Sequence, residues 1–175
     1  VLDLSKIEAG GMTLHLEPVP VGPAVEAAVA LARPLMAVNR NTFHVALPPD
    51  GASVMADPTR LRQCLLNLLS NAAKFTTDGD VWLDVSADVT HARLQVRDTG
   101  IGIAPEQMHL LFQSFVQVGD RHRTTGGTGL GLVISQKLAR LMGGDVTAVS
   151  AANAGSTFTL SIPLAASEPA RTARS

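Results

Sequence analysis

The sequence has a single cysteine, almost no net charge and no long uninterrupted apolar run. Cys64 has no partner, which excludes a disulfide framework or a cysteine-based zinc site and fits the reducing cytoplasm. The 14 Lys and Arg balance 15 Asp and Glu, so no basic field points to nucleic acid. The sequence contains no run of about eighteen consecutive apolar residues, so it does not predict direct membrane insertion. These absences favour a soluble cytoplasmic domain.

The length of 175 residues suits one domain with terminal segments outside its core. The chain lacks an initiator Met, and residues 1–10 read as the last turns of a helix stopped by Gly10 and Gly11. We therefore expect a stub of an upstream helix cut from a longer chain. Residues 11–164 should form the domain itself, and residues 165–175 a disordered tail or linker.

The residue patterns predict strands and helices in mixed order. Met12, Leu14 and Leu16 alternate with polar residues, which indicates a half-buried strand ending at Pro18. A helix is predicted over about 24–38, kinked or shortened by Pro34. The remaining predicted elements are strands at 42–47, 53–56, 80–89, 91–98, 145–151 and 156–164, and helices from 57, at 105–112 and at 131–144. This order, with its antiparallel hairpins, favours a two-layer α/β sandwich over a parallel βαβ stack.

The helix that opens at Asp57 carries an unusual row of carboxamides. Gln63, Asn67 and Asn71 recur at four-residue steps, and Lys74 follows three residues later. Asn is a poor helix former, so two in mid-helix need a reason. Mg²⁺ bound to substrate phosphates needs few protein oxygens, and one Asn carbonyl can suffice. The alternative is a solvated face without function.

A second candidate feature is the strand that runs into Asp98, in "DTGIGI". A carboxylate at a strand end beside glycines can face a flat ligand and accept a hydrogen bond from its exocyclic amine, as on a purine. The alternative is a simple turn. "DTG" also surrounds the catalytic Asp of aspartic proteases, but such an enzyme needs a second carboxylate and a β-rich chain.

The third feature is the glycine run "GGTGLGL" at 126–132. It lacks the Gly-Lys-Ser/Thr ending of a Walker loop, and it is not embedded in the βαβ unit of a dinucleotide fingerprint. A Gly-rich entry into a helix favours an anion, and Arg123 precedes it. Taken alone, the run favours a mobile loop with a helix-capping glycine over a phosphate site.

Together these segments resemble a known family. In order and spacing, "QCLLNLLSNAAKFT", "DTGIGI", "LLFQSF", "GGTGLGLVIS" and "GSTF" are similar to the asparagine, first glycine, phenylalanine, second glycine and third glycine boxes of sensor histidine kinases. "DLSKIEAGGM" resembles the end of the dimerisation and histidine-phosphotransfer helix, as in hybrid kinases. The resemblance implies the Bergerat ATP-binding fold, with a mixed, mostly antiparallel sheet of about five strands packed on three helices.

The resemblance also implies site residues for ATP and Mg²⁺. Asn71 would be the metal ligand, with Asn67 and Lys74 near the phosphates; these three form the catalytic set. Phe75 would lie by the adenine, and Asp98 would bind its amine. The other implied nucleotide-binding residues are Gly100, Gly102, Ile103, Arg123, Gly127, Thr128, Gly129, Leu130, Gly131 and Thr157. The glycines at 100 and 102 would admit the nucleotide, 127–131 would form phosphate contacts and the hinge of an ATP lid over about 116–128, and Thr157 would reach the adenine through water.

The sequence departs from the family pattern in three places. Gln113 and Ser114 replace the usual Glu and Pro, and Asn153 replaces a common Gly. The usual motif around the phospho-accepting histidine is missing, since none of the five histidines has that context: His15, His44, His91, His109 and His122. The implied partners are therefore a dimerisation and histidine-phosphotransfer domain outside these residues and a receiver domain with an acceptor aspartate.

Related ATPases carry a Glu in the asparagine helix to activate water, whereas 59–76 holds no acidic residue here. This favours phosphotransfer over hydrolysis. The alternative is a degenerate module that binds nucleotide for regulation without transfer.

Overall fold

The computed structural model describes residues 2–47, 51–113 and 131–165. The helices are α1 (Leu2–Glu8), α2 (Val21–Val38), α3 (Pro58–Phe75) and α4 (Gly131–Leu141), with a short 3-10 helix at Pro105–Leu110. The strands are β1 (Glu17–Pro20), β2 (Thr42–Ala46), β3 (Ser53–Ala56), β4 (Asp80–Ala87), β5 (His91–Asp98), β6 (Asp145–Ser150) and β7 (Ser156–Pro163).

Five of these strands form one sheet in the order β2-β4-β5-β7-β6, and β1 pairs with β3 in a separate ribbon. Only the β2–β4 pairing in the larger sheet is parallel. Strand residues alternate between a buried face, such as Leu94 and Leu160, and an exposed face, such as Gln95. Helices α2, α3 and α4 cover the buried face. The predicted two-layer sandwich with a mixed, mostly antiparallel sheet is confirmed.

The start of α3 is fixed by its cap. Asp57 Oδ1 accepts hydrogen bonds from the backbone N–H groups of Thr59 and Arg60, and Oδ2 accepts one from His15. Burial raises the pKa of Asp57, but these backbone donors outweigh it and hold the pKa below its usual range. The N-cap predicted for this helix is present and ties the helix to the segment before β1.

The predicted strand at Met12 to Leu16 is wrong, because the strand lies in the residues that follow, at Glu17–Pro20. Prolines are tolerated there since β1 belongs to a two-stranded ribbon, where a missing N–H donor costs little. Met12 and Leu14 instead pack against the core without strand pairing. Alternation alone did not distinguish an extended segment from a paired strand.

Helix α2 begins earlier than predicted, at Val21, and passes through Pro34 to Val38. Pro34 therefore does not shorten it, since its buried face, including Ala28 and Met36, anchors both sides of the proline in the core. In the described part of the chain, α2 alone is long and apolar enough to cross a membrane by length and composition, with a mean hydropathy of 1.4. The core helix of a soluble protein meets the same criterion.

Candidate functional site

The candidate site lies at the edge of the sheet where β5 ends and β7 begins. Asp98, the last residue of β5, pairs in register with Ser156, the first residue of β7, and Ser156 also pairs with Ser150 at the end of β6. The backbone N–H of Ile101 donates to the carbonyl of Phe75 at 3.2 Å. This bond brings the loop after β5 against the C-terminal end of α3.

Asp98 is a buried carboxylate, with 6% of its surface exposed. Burial raises its pKa above the usual range, although the backbone N–H groups of Gly100, at 2.9 Å, and of Ser156, and the side chain of Thr76, act in the opposite direction. The buried hydroxyl of Thr76 lies beside Gly100 and near enough to Asp98 to lower the pKa of that carboxyl, but within the described residues it makes no hydrogen bond of regular geometry. A buried hydroxyl normally has one. The site is thus incomplete, and it suits a ligand that offers polar atoms to Asp98 and Thr76.

The last two turns of α3 add a carboxamide, a cation and an aromatic ring. Asn71, Lys74 and Phe75 are all half-buried, and their three- and four-residue spacing makes them neighbours on the helix surface. Lys74 Nζ lies 5.5 Å from the centroid of the Phe75 ring. The side chain of Asn71 makes no hydrogen bond to any part of the chain that the structure describes. Its carbonyl oxygen is available to a ligand.

Asn67, one turn earlier, is engaged differently. Its Nδ2 donates to the carbonyl of Gly131 at 3.3 Å and to the hydroxyl of Ser135 at 3.0 Å, so it joins α3 to the first turn of α4. The structure therefore brings two predicted site residues, Asn67 and Gly131, together. The packing of α3 on α4 is itself a sufficient reason for an Asn at position 67.

The two glycines of the loop after β5 have a structural reason that sequence reasoning missed. A Cβ at Gly100 would collide with the carbonyl of Phe75, and one at Gly102, where φ is 66°, would collide with the carbonyl of Ala151. Both glycines thus permit close backbone packing against α3 and against the β6–β7 turn. The predicted close approach of the protein backbone to the nucleotide is not needed to explain them.

A serine network holds the same loop from the side of β6. Ser150 Oγ donates to the carbonyl of Gly155 at 2.9 Å and accepts from the backbone N–H of Ile103 at 2.8 Å. The Ser156 hydroxyl lies 2.8 Å from Ser150 Oγ and must be the donor in that pair, because the Ser150 proton is already used. This network fixes the backbone of Ile103, a predicted site residue, at the rim of the site.

Asn153 shows that one departure from the family pattern is compatible with the turn. It adopts a φ of 61°, a left-handed conformation that Asn tolerates better than most residues, and its N–H donates to the carbonyl of Ile101 at 2.7 Å. The usual glycine is thus replaced without loss of the turn between β6 and β7.

Thr157 lies on the opposite face of β7 from Ser156 and therefore from Asp98. It is half-buried and in register with Arg97, whereas its neighbours Ser156 and Phe158 are buried. The side chain of Ser156, which pairs in register with Asp98, lies on the same buried face of the sheet as that carboxylate. The alternation in "STFTLSIP" could have revealed this, since Phe158 and Leu160 identify the inward positions.

The remaining predicted site residues lie outside the described residues: Arg123, Gly127, Thr128, Gly129 and Leu130, together with Ser114 and the tail beyond residue 165. In the part that is described, no group of three His, Cys, Asp or Glu side chains could hold a metal ion. Burial raises the pKa of the Cys64 thiol to about 12, so this cysteine is not a nucleophile.

A family model described as "Histidine kinase-, DNA gyrase B-, and HSP90-like ATPase" matches residues 56–166. Among curated relatives, the sensor protein TorS of Escherichia coli is 40% identical over 167 residues, covering 94% of this chain and 18% of TorS. The sensor histidine kinase RcsC of Salmonella typhimurium is 41% identical over 168 residues, with coverages of 94% and 18%. The chain thus spans about a fifth of the length of these relatives.

Similar solved structures are also histidine kinases. Full-length ShkA in complex with AMPPNP superposes with a TM-score of 0.81 at 34% identity, covering 94% of this chain and 34% of ShkA. The mycobacterial sensor histidine kinase MprB gives a TM-score of 0.75 at 28% identity, covering 85% of this chain and 98% of MprB. The catalytic domain of histidine kinase ThkA gives 0.72 at 26% identity, with coverages of 86% and 98%.

Proposed function

Because this chain belongs to the histidine kinase-, DNA gyrase B- and HSP90-like ATPase family, as the ATP-binding catalytic domain of a sensor histidine kinase, we propose how its residues serve that activity. ATP binds with Mg²⁺ at the C-terminal end of α3. The terminal phosphoryl group is donated to a histidine on a dimerisation and histidine-phosphotransfer domain outside these residues. From there it passes to an aspartate of a receiver domain.

The observation that carries the assignment is the incomplete polar site at Asp98 and Thr76. The buried carboxylate of Asp98 can accept a hydrogen bond from the adenine amine. A neighbouring ring nitrogen of adenine can accept one from the Thr76 hydroxyl. A ligand with both groups would satisfy two buried polar side chains at once. Phe75, half-buried beside them, supplies an apolar surface for the ring.

The residues present also fit Mg²⁺. The carboxamide of Asn71 has no competing hydrogen bond in the described chain, and Mg²⁺ bound to a nucleotide takes most of its ligands from phosphates and water. Asn71 would hold the ion, which supplies charge neutralisation at the phosphates. Lys74 adds a positive charge one turn away, and Asn67 ties this helix to the start of α4.

Transfer rather than hydrolysis follows from the composition of α3. No Asp or Glu occurs between Pro58 and Phe75, so the helix offers no carboxylate to activate water. A histidine nitrogen attacks with its own lone pair, and catalysis then depends mainly on positioning and charge neutralisation. A regulatory module without transfer is not favoured, since Asn71 and Asp98 are both present and the relatives are kinases.

The parent architecture is proposed from the relatives, because the chain spans about a fifth of their length. The segment "DLSKIEAGGM" supplies the end of the dimerisation helix: Leu4 of α1 is buried, and α1 packs against α4. The domain acts in the cytoplasm, where ATP and receiver domains are available.

The test has two stages. Calorimetric titration with ATP should give binding in Mg²⁺ that weakens markedly in EDTA. A chain extended upstream to include a phospho-accepting helical domain should then form acid-labile, base-stable phosphate, and a His→Gln change at the acceptor should abolish it. ATP binding without any acid-labile phosphate in the extended chain would support the regulatory alternative. Absence of binding at about millimolar nucleotide would contradict the whole proposal.

A further inference from the structure

The segment between α2 and β2 holds the end of α3 through asparagine side chains. Asn41 Nδ2 donates to the carbonyl of Thr76 at 2.7 Å and to that of Ala73 at 3.2 Å, and Asn39 Nδ2 donates to the Ala73 carbonyl at 2.9 Å. The Oδ1 of Asn41 accepts the backbone N–H of Gly79 at 3.2 Å. Asn41 thus uses both ends of its carboxamide to bind the chain on either side of the α3 terminus.

These bonds satisfy groups that a helix cannot satisfy internally. The last four carbonyls of an α-helix lack an intrahelical donor. Here the carbonyl of Ala73 is taken by the two asparagines and that of Phe75 by the N–H of Ile101. The last turn of α3 is therefore held by donors from two separate segments.

We propose that Asn41 is a positioning residue for the nucleotide site, one that sets the last turn of α3 and thereby places Lys74 and Phe75 against the bound nucleotide. The two carbonyls that it holds bracket these two residues in the sequence. Asn41 makes its hydrogen bonds to backbone groups and makes none to the side chains of Lys74 and Phe75. This assignment rests on the proposed function of the site.

A neighbouring contact provides a matched control. Arg40 forms a two-point ion pair with Asp78 at 2.6 and 2.8 Å, which also joins the α2–β2 segment to the chain after α3. Both side chains are mostly exposed, 68% and 59%, so the pair contributes little. Arg40 has a φ of 56°, which glycine adopts freely, so Arg40→Gly removes the pair without backbone strain.

The test measures ATP affinity, in Mg²⁺, for the wild type, Asn41→Ala, Asn41→Asp and Arg40→Gly, at a temperature well below each melting point. Asn41→Asp keeps an acceptor for Gly79 but loses both donors to the α3 carbonyls. We expect both Asn41 variants to bind ATP about tenfold more weakly, since a small misplacement of binding groups is costly. Arg40→Gly should stay within about twofold of the wild type.

A double-mutant cycle separates positioning from general stability. In a Lys74→Ala, Phe75→Ala background, Asn41→Ala should cost almost no further affinity, because the groups that it places are gone. An Asn41→Ala protein that melts earlier but binds ATP as tightly as the wild type would overturn the proposal, as would an equal loss in both backgrounds. A wild type that binds no ATP would instead refute the proposed function itself, and with it this role of Asn41.

Discussion

Both ends of α3 are fixed by hydrogen bonds beyond the helix's own ladder, but within the described residues only the C-terminal end leaves polar side chains unsatisfied. At the N-terminal end, the carboxylate of Asp57 accepts three backbone donors. At the C-terminal end, the backbone is also held, by Asn41 and Ile101, while the Asn71 side chain and the Thr76 hydroxyl make no hydrogen bond of regular geometry in the described chain. Polar groups that are all hydrogen-bonded within the protein indicate a role in stability. Polar groups left without partners on a well-held backbone indicate a ligand site.

The same contrast appears within the helix, between two asparagines one turn apart. Asn67 donates to Gly131 and Ser135, whereas Asn71 has no such partner. Identical residue types on one face therefore have different reasons to be there. We expect substitutions at the N-terminal end to change stability, and substitutions at the C-terminal end to change nucleotide affinity.

The largest effect is expected at the C-terminal end, for Asp98→Asn. The change replaces one carboxylate oxygen by an NH2 group and removes the charge, and hydrogen bonds to charged groups contribute about 1.5–3 kcal/mol. ATP affinity measured by calorimetry should fall roughly 10- to 100-fold. The melting temperature should not fall, because the variant removes a buried charge whose pKa is raised by burial. Unchanged affinity would remove Asp98 from the site.

Asn71→Ala should abolish the dependence of ATP affinity on Mg²⁺, a loss of about tenfold or more in Mg²⁺ and little change in EDTA. Asn67→Ala is the matched control on the same helix face. It removes a donor from the buried Ser135 hydroxyl and from the Gly131 carbonyl, so it should lower stability by about 1–3 kcal/mol and keep the Mg²⁺ dependence. The reverse pattern would exchange the roles of the two residues.

At the N-terminal end, Asp57→Ala should destabilise the fold by about 1 kcal/mol and lower the melting temperature by roughly 2–4 °C. The reason is the loss of the acceptor for three backbone N–H groups. ATP affinity, measured below the transition, should stay within about twofold of the wild type. A large loss of affinity without a change in melting temperature would contradict the separation of the two ends.

The smallest effect is a pH dependence at the same cap. The folded pKa of Asp57 lies below its unfolded value, so the carboxylate contributes stability above the unfolded pKa and loses it as the pH falls through the folded pKa. The stability difference between wild type and Asp57→Asn should therefore shrink on acidification from about pH 7 to about pH 3. Denaturant unfolding at each pH measures it, and a difference that grows would reverse the assigned sign.

Much of the fold followed from local patterns because those patterns match the final packing. The Asp57 cap, the apolar stripe of α3 and the turn between β4 and β5 are all determined within a few residues. The strand predicted at Met12 was misplaced because the position of the real strand, β1, is set by its partner β3, which lies far along the chain. Pairing between distant segments is not encoded in alternation alone.

The site was predicted in part for a similar reason. Asp98, Asn71, Lys74 and Phe75 belong to motifs whose residue types are explained by ligand chemistry, and the structure brings them to one edge. The hydrogen bonds from Asn41 to the end of α3 could not be predicted, because the acceptors are backbone carbonyls more than thirty residues away. Backbone groups carry no residue-type signal, so such contacts leave no trace in a single sequence.

The central claim is that the nucleotide binds at the C-terminal end of α3 and not elsewhere. Backbone amide shifts followed by NMR during an ATP titration in Mg²⁺ test it most directly. The predicted result is a cluster of shifted amides at Asn71 to Thr76, Gly100 to Ile103 and Ser156, with Thr59 and Arg60 unchanged. Shifts centred on the Asp57 end of the helix, or none at saturating ATP, would contradict the account.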